Sequence, residues 1–169
     1  MRRFLEGAII VGASGFIAIL ALSAVYDHTI IWLHVFQACL YLAVIGLILK
    51  RNRLGYFLGL SVAAFWNYTN LFVTNFFLSG VRAFQQAIAT GHAVQPDQMV
   101  AVGAVAFHFL MIVGCLILMI QSSRKTGPDL LRLLVVFVAA NGYFAACVAL
   151  LQPRYLTIFP RLLHPHGLI

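Results

Sequence analysis

The chain has 169 residues, of which 63% are hydrophobic and 9% are charged, whereas soluble domains are about 45 to 50% apolar and about 25% charged. This composition, with a mean hydropathy of +0.98, excludes an ordinary soluble domain and predicts a protein embedded in a bilayer. The net charge of +7 would suggest nucleic acid in a soluble protein, but membrane topology accounts for it here, so no nucleic-acid partner is expected.

Five apolar runs, each long enough to cross a bilayer, follow one another along the chain. They cover residues 7–25, 29–49, 55–79, 99–120 and 130–151. A long loop, 80–98, precedes the fourth run, and a tail, 152–169, follows the fifth. We therefore predict a single all-α integral membrane domain over 1–169, built as a bundle of five transmembrane helices.

Basic residues are divided unevenly between the two sides of this bundle. One side carries Arg2, Arg3, Lys50, Arg51, Arg53, Arg124, Lys125 and Arg132, and the other carries Arg82, Arg154 and Arg161. Because cytoplasmic loops are enriched in Lys and Arg, this division predicts a cytoplasmic N-terminus and an outer C-terminus. Since the loop charges and the lack of a targeting segment fit a bacterial inner membrane, we expect the protein to lie there.

The first run has a second interpretation. Arg2 and Arg3 precede an apolar stretch, and Ala21, Leu22 and Ser23 resemble a cleavage site for signal peptidase. Both features occur in secretory signal peptides. We expect an uncleaved anchor helix instead.

The outer loop and the tail carry their own signals. Val81, Phe84 and Ile88 share one helical face, which predicts a short amphipathic helix lying at the membrane interface and ending at Thr90 and Gly91. Helix starts are predicted at Pro96 and Asp97 and, with a capping interaction, over 126–129. The tail is rich in proline and aromatic residues, which predicts an irregular segment resting on the outer interface or on a partner.

The third run has one face made of small and polar residues. It consists of Gly55, Gly59, Ala63, Asn67, Asn70 and Thr74. Its first half has the small-xxx-small pattern that lets helices approach closely. Its second half carries polar groups that cannot form hydrogen bonds with lipid chains. We therefore expect the third helix to lie at the centre of the bundle.

Other runs contribute polar residues at a similar depth. The second run places His34, Gln37 and Tyr41 on one face, the fourth run contains His108, and the fifth contains Asn141. A rise of about 1.5 Å per residue pairs His34 with Thr74, Gln37 with Asn70 and Tyr41 with Asn67, and it places His108 near the middle pair. One interpretation is a layer of interhelical hydrogen bonds. The other is a small pocket open to the outer side.

Several cofactor hypotheses rest on the same residues. No bound cofactor is the expectation, with haem b or a quinone as the alternative, and the candidate haem ligands are His34 and His108. His108, Met111, Cys115 and Met119 share a face that could hold Cu(I). An outer metal site could be assembled from loop residues Asp27, His28, His92, Asp97, His164 and His166. The three cysteines have no metal-binding spacing, so we interpret them as packing residues.

Two function classes are disfavoured by what the sequence lacks. The four acids lie at the edges of the runs or in loops, so the bilayer core lacks the carboxylate that an ion-coupled transporter generally needs. No nucleophile motif, HExxH motif or phosphate-binding loop is present, so we do not expect catalysis by this chain alone.

Three functional hypotheses remain. The first is a small non-catalytic subunit that packs against other membrane proteins and lipids in a larger complex. The second is a redox protein that binds haem or quinone in the outer-leaflet polar pocket. The third is a carrier or receptor for a small neutral or lipidic ligand that enters the same pocket.

Overall fold

A computed structural model describes residues 1–93, 95–122 and 127–163, and no strand occurs among them. The long helices are α1 (Arg2–Tyr26), α2 (Ile31–Leu49), α3 (Leu54–Tyr68), α4 (Phe76–Thr90), α5 (Pro96–Ser122) and α6 (Gly127–Leu151). A 3-10 turn, His28–Ile30, leads into α2, and a π-helical turn, Thr69–Val73, extends α3. After α6 come a 3-10 turn, Pro153–Thr157, and a short helix α7 (Ile158–Arg161).

Four helical segments are long and apolar enough to cross a membrane. They are Arg2–Tyr26, His28–Leu49, Pro96–Gln121 and Pro128–Leu151. The prediction of an all-α bundle with helices suited to a membrane is therefore confirmed. With 15 residues, α3 is shorter than the roughly 20 residues that a spanning helix needs.

The predicted third span, 55–79, is not one continuous helix. The α-helix ends at Tyr68, and the backbone becomes extended at Thr74 before α4 begins at Phe76. Side chains in this stretch compete for backbone groups: the Asn70 amide donates to the Trp66 carbonyl at 2.8 Å, and the Thr74 hydroxyl accepts from the Phe76 N–H at 3.4 Å. This competition accounts for the π-helical turn and the break.

The predicted interfacial segment forms α4, which is longer than expected. It ends at Thr90, and Gly91 follows with a φ of 72°, the left-handed conformation that closes many helices. The helix buries Gly80 and Ala83 and leaves Phe84 and Ile88 exposed. A Cβ at Gly80 would lie 2.6 Å from the Gln98 carbonyl oxygen, so α4 packs closely against the first turns of α5.

Glycines also allow α1 and α5 to pack closely. A Cβ at Gly12 would lie 2.6 Å from Met111 Cγ, and one at Gly114 would lie 2.8 Å from Ile9 Cγ1. A Cβ at Gly103 would lie 3.2 Å from Ile19 Cδ1. Early residues of α1 thus face late residues of α5, so the two helices run antiparallel.

The small-residue face of α3 packs against two helices. A Cβ at Gly55 would lie 3.0 Å from Leu47 Cβ of α2, and one at Gly59 would lie 2.7 Å from Cys115 Sγ of α5. Ala63 is fully buried. Because α3 contacts α2, α5 and α6, it lies inside the bundle, and α5 shares this position through its contacts with α1, α3 and α4.

Candidate binding cavity at the Asp27 end of the bundle

A cavity of about 530 Å³ lies at the end of the bundle formed by the α1–α2 turn and the start of α5, which we call the Asp27 end. Its walls come from α1, α2, α3, the start of α4, α5 and the C-terminal segment. They include Phe16, Leu20, Ser23, Tyr26, Asp27, Leu33, His34, Gln37, Trp66, Phe76, Asp97, Val100, Ala104 and Tyr155. Two of the predicted polar residues, His34 and Gln37, therefore line one cavity.

Beneath the cavity lies a fully buried pair, Tyr41 and His108. The Tyr41 hydroxyl is 2.6 Å from His108 Nε2, and His108 Nδ1 is 2.8 Å from the Ala104 carbonyl oxygen. Because a carbonyl oxygen can only accept, the Nδ1–H donates to Ala104, and Nε2 accepts from the Tyr41 hydroxyl. Phe16 and Trp66 line the cavity and also pack on the imidazole, with ring centroids 4.1 Å and 4.6 Å away.

This arrangement does not fit haem ligation by His34 and His108. Both ring nitrogens of His108 are hydrogen-bonded, and Trp66 is stacked on its ring with an interplanar angle of 16°. His34 Nδ1 donates to the Leu20 carbonyl at 2.9 Å. A haem would have to replace the rings that now pack against His108.

The depth assigned to His108 from the sequence is one turn too shallow. The depth estimate counts from residue 99, where the apolar run begins, whereas α5 begins at Pro96. Three more residues add about 4.5 Å. The correction places His108 at the level of Tyr41, to which it is hydrogen-bonded.

Three of the remaining predicted residues, Asn70, Thr74 and Asn141, line two smaller cavities. One, of about 160 Å³, is lined by Asn70 and Thr74 together with Phe144, Ile158 and Phe159. The other, of about 20 Å³, is lined by Gln37, Tyr41 and Asn141. Trp66 lines both of them and the large cavity as well. The predicted layer is therefore arranged around Trp66, a residue that the sequence analysis did not select although it directly precedes Asn67.

The asparagines contribute little to joining the helices. Asn70 and Asn141 donate to carbonyls one turn earlier in their own helices, at 2.8 Å each. Asn67 is only 4% exposed, and among the described residues its side-chain amide has no hydrogen-bond partner. Within the described residues, two hydrogen bonds made by the predicted polar residues join different helices. They link His34 to the Leu20 carbonyl and Tyr41 to His108.

The C-terminal segment is anchored at the mouth of the large cavity. The Arg154 guanidinium donates to the Thr29 hydroxyl at 2.7 Å and lies 3.4 Å from an Asp27 carboxylate oxygen. Gln152 donates to the Thr29 carbonyl, and Tyr68 donates to the Leu162 carbonyl at 2.8 Å. These bonds hold Tyr155 where it lines both the large cavity and the cavity of about 160 Å³. The tail was expected to be irregular, but its described part, 152–163, contains the 3-10 turn and α7 and rests on the bundle itself.

Asp27 is held in its ionised form. Its carboxylate accepts hydrogen bonds from the Thr29 hydroxyl at 2.6 Å and from the Thr29 backbone N–H at 2.9 Å. These bonds, with a smaller contribution from the charge of Arg154, lower the pKa of Asp27 below its ordinary value. Asp27 therefore keeps its negative charge at the mouth of the cavity, where Arg154 is its counter-ion.

The predicted metal-binding residues do not gather in the described part of the chain. No group of three or more His, Cys, Asp or Glu residues suited to a metal ion occurs there. Met111 and Cys115 are fully buried in the hydrophobic core, and their neighbour His108 has both nitrogens hydrogen-bonded. His164 and His166 lie outside the described residues, as do Arg124, Lys125 and the predicted cap at Thr126.

Comparison of the chain with protein-family models, with curated proteins and with solved structures finds no match.

Proposed function

We propose that the protein is a membrane-embedded binding protein, a carrier or receptor, for a small ligand that enters the large cavity from the Asp27 end. One observation carries the proposal: a cavity of about 530 Å³ has one buried polar side chain, Gln37, and two half-buried ones, Ser23 and His34, on its walls. Ligand pockets are typically about 300 to 1,000 Å³, mostly apolar, with a few convergent polar groups. His34, Gln37 and Ser23 would supply those groups, and Phe16, Trp66 and Phe76 the apolar walls.

The proposal includes a topology of five membrane crossings. α1 and α5 are antiparallel, so α5 starts at the end of the bundle where α1 finishes. α2 returns the chain to the opposite end, and residues 51–95 must then cross back before α5 begins. α3 with its π-helical turn, 54–73, would make this crossing. The excess of Lys and Arg at the other end supports a cytoplasmic N-terminus and an outer Asp27 end.

The test is to fill the cavity and measure binding. Ser23 of α1 lines the cavity, whereas Ser14 of the same helix is exposed on the outside of the bundle. We expect native mass spectrometry of the gently solubilised protein to detect a bound small molecule, with occupancy at least about fivefold lower in Ser23→Trp and unchanged in Ser14→Trp. Lipids, quinones and amines should also be screened by thermal unfolding, since a ligand at 100 times its Kd stabilises by about 2.7 kcal/mol. If no compound is bound and none stabilises the wild type, the proposal is wrong.

The role of a non-catalytic subunit stays a prediction. The exposed apolar residues of α6, which include Leu130, Leu134 and Val138, fit lipid and a partner helix equally well. Recovery of a stoichiometric second protein after mild solubilisation would favour the subunit. A stable monomer with a bound small molecule would favour the binding protein.

A further inference from the structure

We propose that the ligand carries a positively charged amine or guanidinium group on a small apolar body, and that this group competes with Arg154 for the mouth of the cavity. The inference rests on the proposed function and adds the chemical class of the ligand. It follows from the charges on the cavity wall, from a cation already bound at the mouth, and from the aromatic surface below.

The cavity wall is negatively charged in a positively charged protein. The chain has four acids and eleven Lys and Arg. Two of the four acids, Asp27 and Asp97, line the cavity, and no Lys or Arg is among its described lining residues. The two carboxylates are 70 positions apart in sequence, and the fold brings both to the wall of one cavity. An anionic ligand would be repelled here, whereas a cation would be attracted.

The surroundings of Arg154 indicate which kind of ligand group can bind at the mouth of the cavity. Its guanidinium lies 3.4 Å from Asp27 Oδ2, donates to the Thr29 hydroxyl at 2.7 Å and lies 4.9 Å from the centre of the Tyr155 ring. A carboxylate, a hydroxyl and an aromatic face are the groups that bind ammonium and guanidinium ions. The contact with Asp27 is long, and Arg154 is exposed, so an external cation could replace it.

Below the mouth, the cavity suits an apolar body. Phe16, Trp66 and Phe76 provide aromatic surface, and Gln37, which is 6% exposed, provides a buried polar group at depth. A ligand with its cation between Asp27 and Asp97 would place its apolar part against these rings. Its binding should weaken as salt rises, because the carboxylate of Asp97 is exposed.

Three probes of matched shape and different charge test the ligand class. They are phenethylamine, 2-phenylethanol and 3-phenylpropanoate, titrated into a Trp32→Phe background. Trp66 is then the one tryptophan of the chain, and its fluorescence reports on the cavity it lines; calorimetry provides a second measurement. We expect the amine to bind at least about tenfold more tightly than the alcohol, and the carboxylate to bind most weakly.

Three charge variants test the competition and the recognition of the cation. Arg154→Gln should strengthen amine binding about threefold or more by freeing Asp27. Arg161→Gln removes the same charge from the same segment and should leave binding unchanged. Asp97→Asn should weaken amine binding without affecting the alcohol, and it keeps the inference testable if Arg154→Gln does not fold.

The outcomes separate this inference from the proposed function. If the alcohol or the carboxylate binds as tightly as the amine, the charge inference is wrong and the binding protein stands. Weaker amine binding in Arg154→Gln would overturn the competition with Arg154. If none of the three probes binds, and Ser23→Trp leaves occupancy by the native ligand unchanged, both proposals fail.

Discussion

At the scale of single residues, the contact between Tyr41 and His108 is a buried polar contact that joins α2 to α5. Both side chains are almost completely buried, and the hydroxyl lies 2.6 Å from the imidazole nitrogen. The sequence places each residue inside an apolar run, where a polar group needs a partner. It does not identify the partner, because counting depth from the apolar run at 99 instead of from the helix start at Pro96 displaces His108 by nearly one helical turn.

This pair yields a prediction for stability. Tyr41→Phe should destabilise the protein because His108 Nε2 then has no donor and remains buried. A double-mutant cycle with His108→Leu should give a coupling energy of about 0.6 to 1.7 kcal/mol, the range for hydrogen bonds between membrane helices. Equilibrium unfolding in mixed micelles measures all four proteins. If the effects of the two substitutions are additive within about 0.3 kcal/mol, the contact contributes nothing.

Trp66 shows which kind of functional residue sequence reasoning misses. It stacks on His108 and lines three cavities. In a chain with 63% hydrophobic residues, an aromatic side chain has no polarity that distinguishes a wall of a cavity from contact with lipid. Only its neighbours in space, Phe16 and His108, reveal its position.

At the scale of helices, close packing depends on which glycines meet a neighbour. The small residues of α3 could be predicted from their spacing, and Gly55 and Gly59 do face α2 and α5. The glycines of α1 and α5 were not singled out, although they bring those two helices equally close. Glycine is common in membrane helices, so its presence alone does not identify an interface.

Two glycines of α1 provide a matched test. A Cβ at Gly12 would lie 2.8 Å from the backbone oxygen of Phe107, whereas one at Gly7 would have nothing within 4 Å. Gly12→Ala should therefore lower the free energy of unfolding by about 1 to 3 kcal/mol through overpacking. Gly7→Ala should be neutral or slightly stabilising because alanine favours the helix. Equal effects of the two substitutions on unfolding would contradict the packing of α1 against α5.

The break between α3 and α4 is a second feature at the scale of helices. Hydrophobicity continues through 55–79, so the sequence predicts a single span there. The helix ends instead where the Asn70 amide donates to the Trp66 carbonyl and the Thr74 hydroxyl accepts from the Phe76 N–H. The same break brings Thr74 to the 160 Å³ cavity and Phe76 to the large one, so it shapes the proposed site.

At the scale of the whole molecule, the proposed five crossings make a clear prediction. Single cysteines at positions 52 and 92, in a background with Cys39, Cys115 and Cys147 replaced by alanine, should label from opposite sides of the membrane. A membrane-impermeant maleimide applied to intact cells should react at 92 and not at 52. A third cysteine at 163 should react like the one at 92, since Arg154 and Tyr68 hold the C-terminal segment at the Asp27 end. Labelling of 52 and 92 from the same side would exclude a crossing by α3.

The sequence by itself determined that this chain forms apolar helices, because hydrophobicity and its interruptions depend only on which residues follow one another. It also selected residues such as His34, Gln37 and Asp27, because polar groups in or beside a bilayer are costly and therefore conspicuous. The tertiary structure decided which of these residues share a cavity, since that depends on the register and direction of neighbouring helices. It placed Asp97 and Asp27 on one cavity wall and Arg154 at its mouth, contacts between residues far apart in the chain that no local pattern encodes.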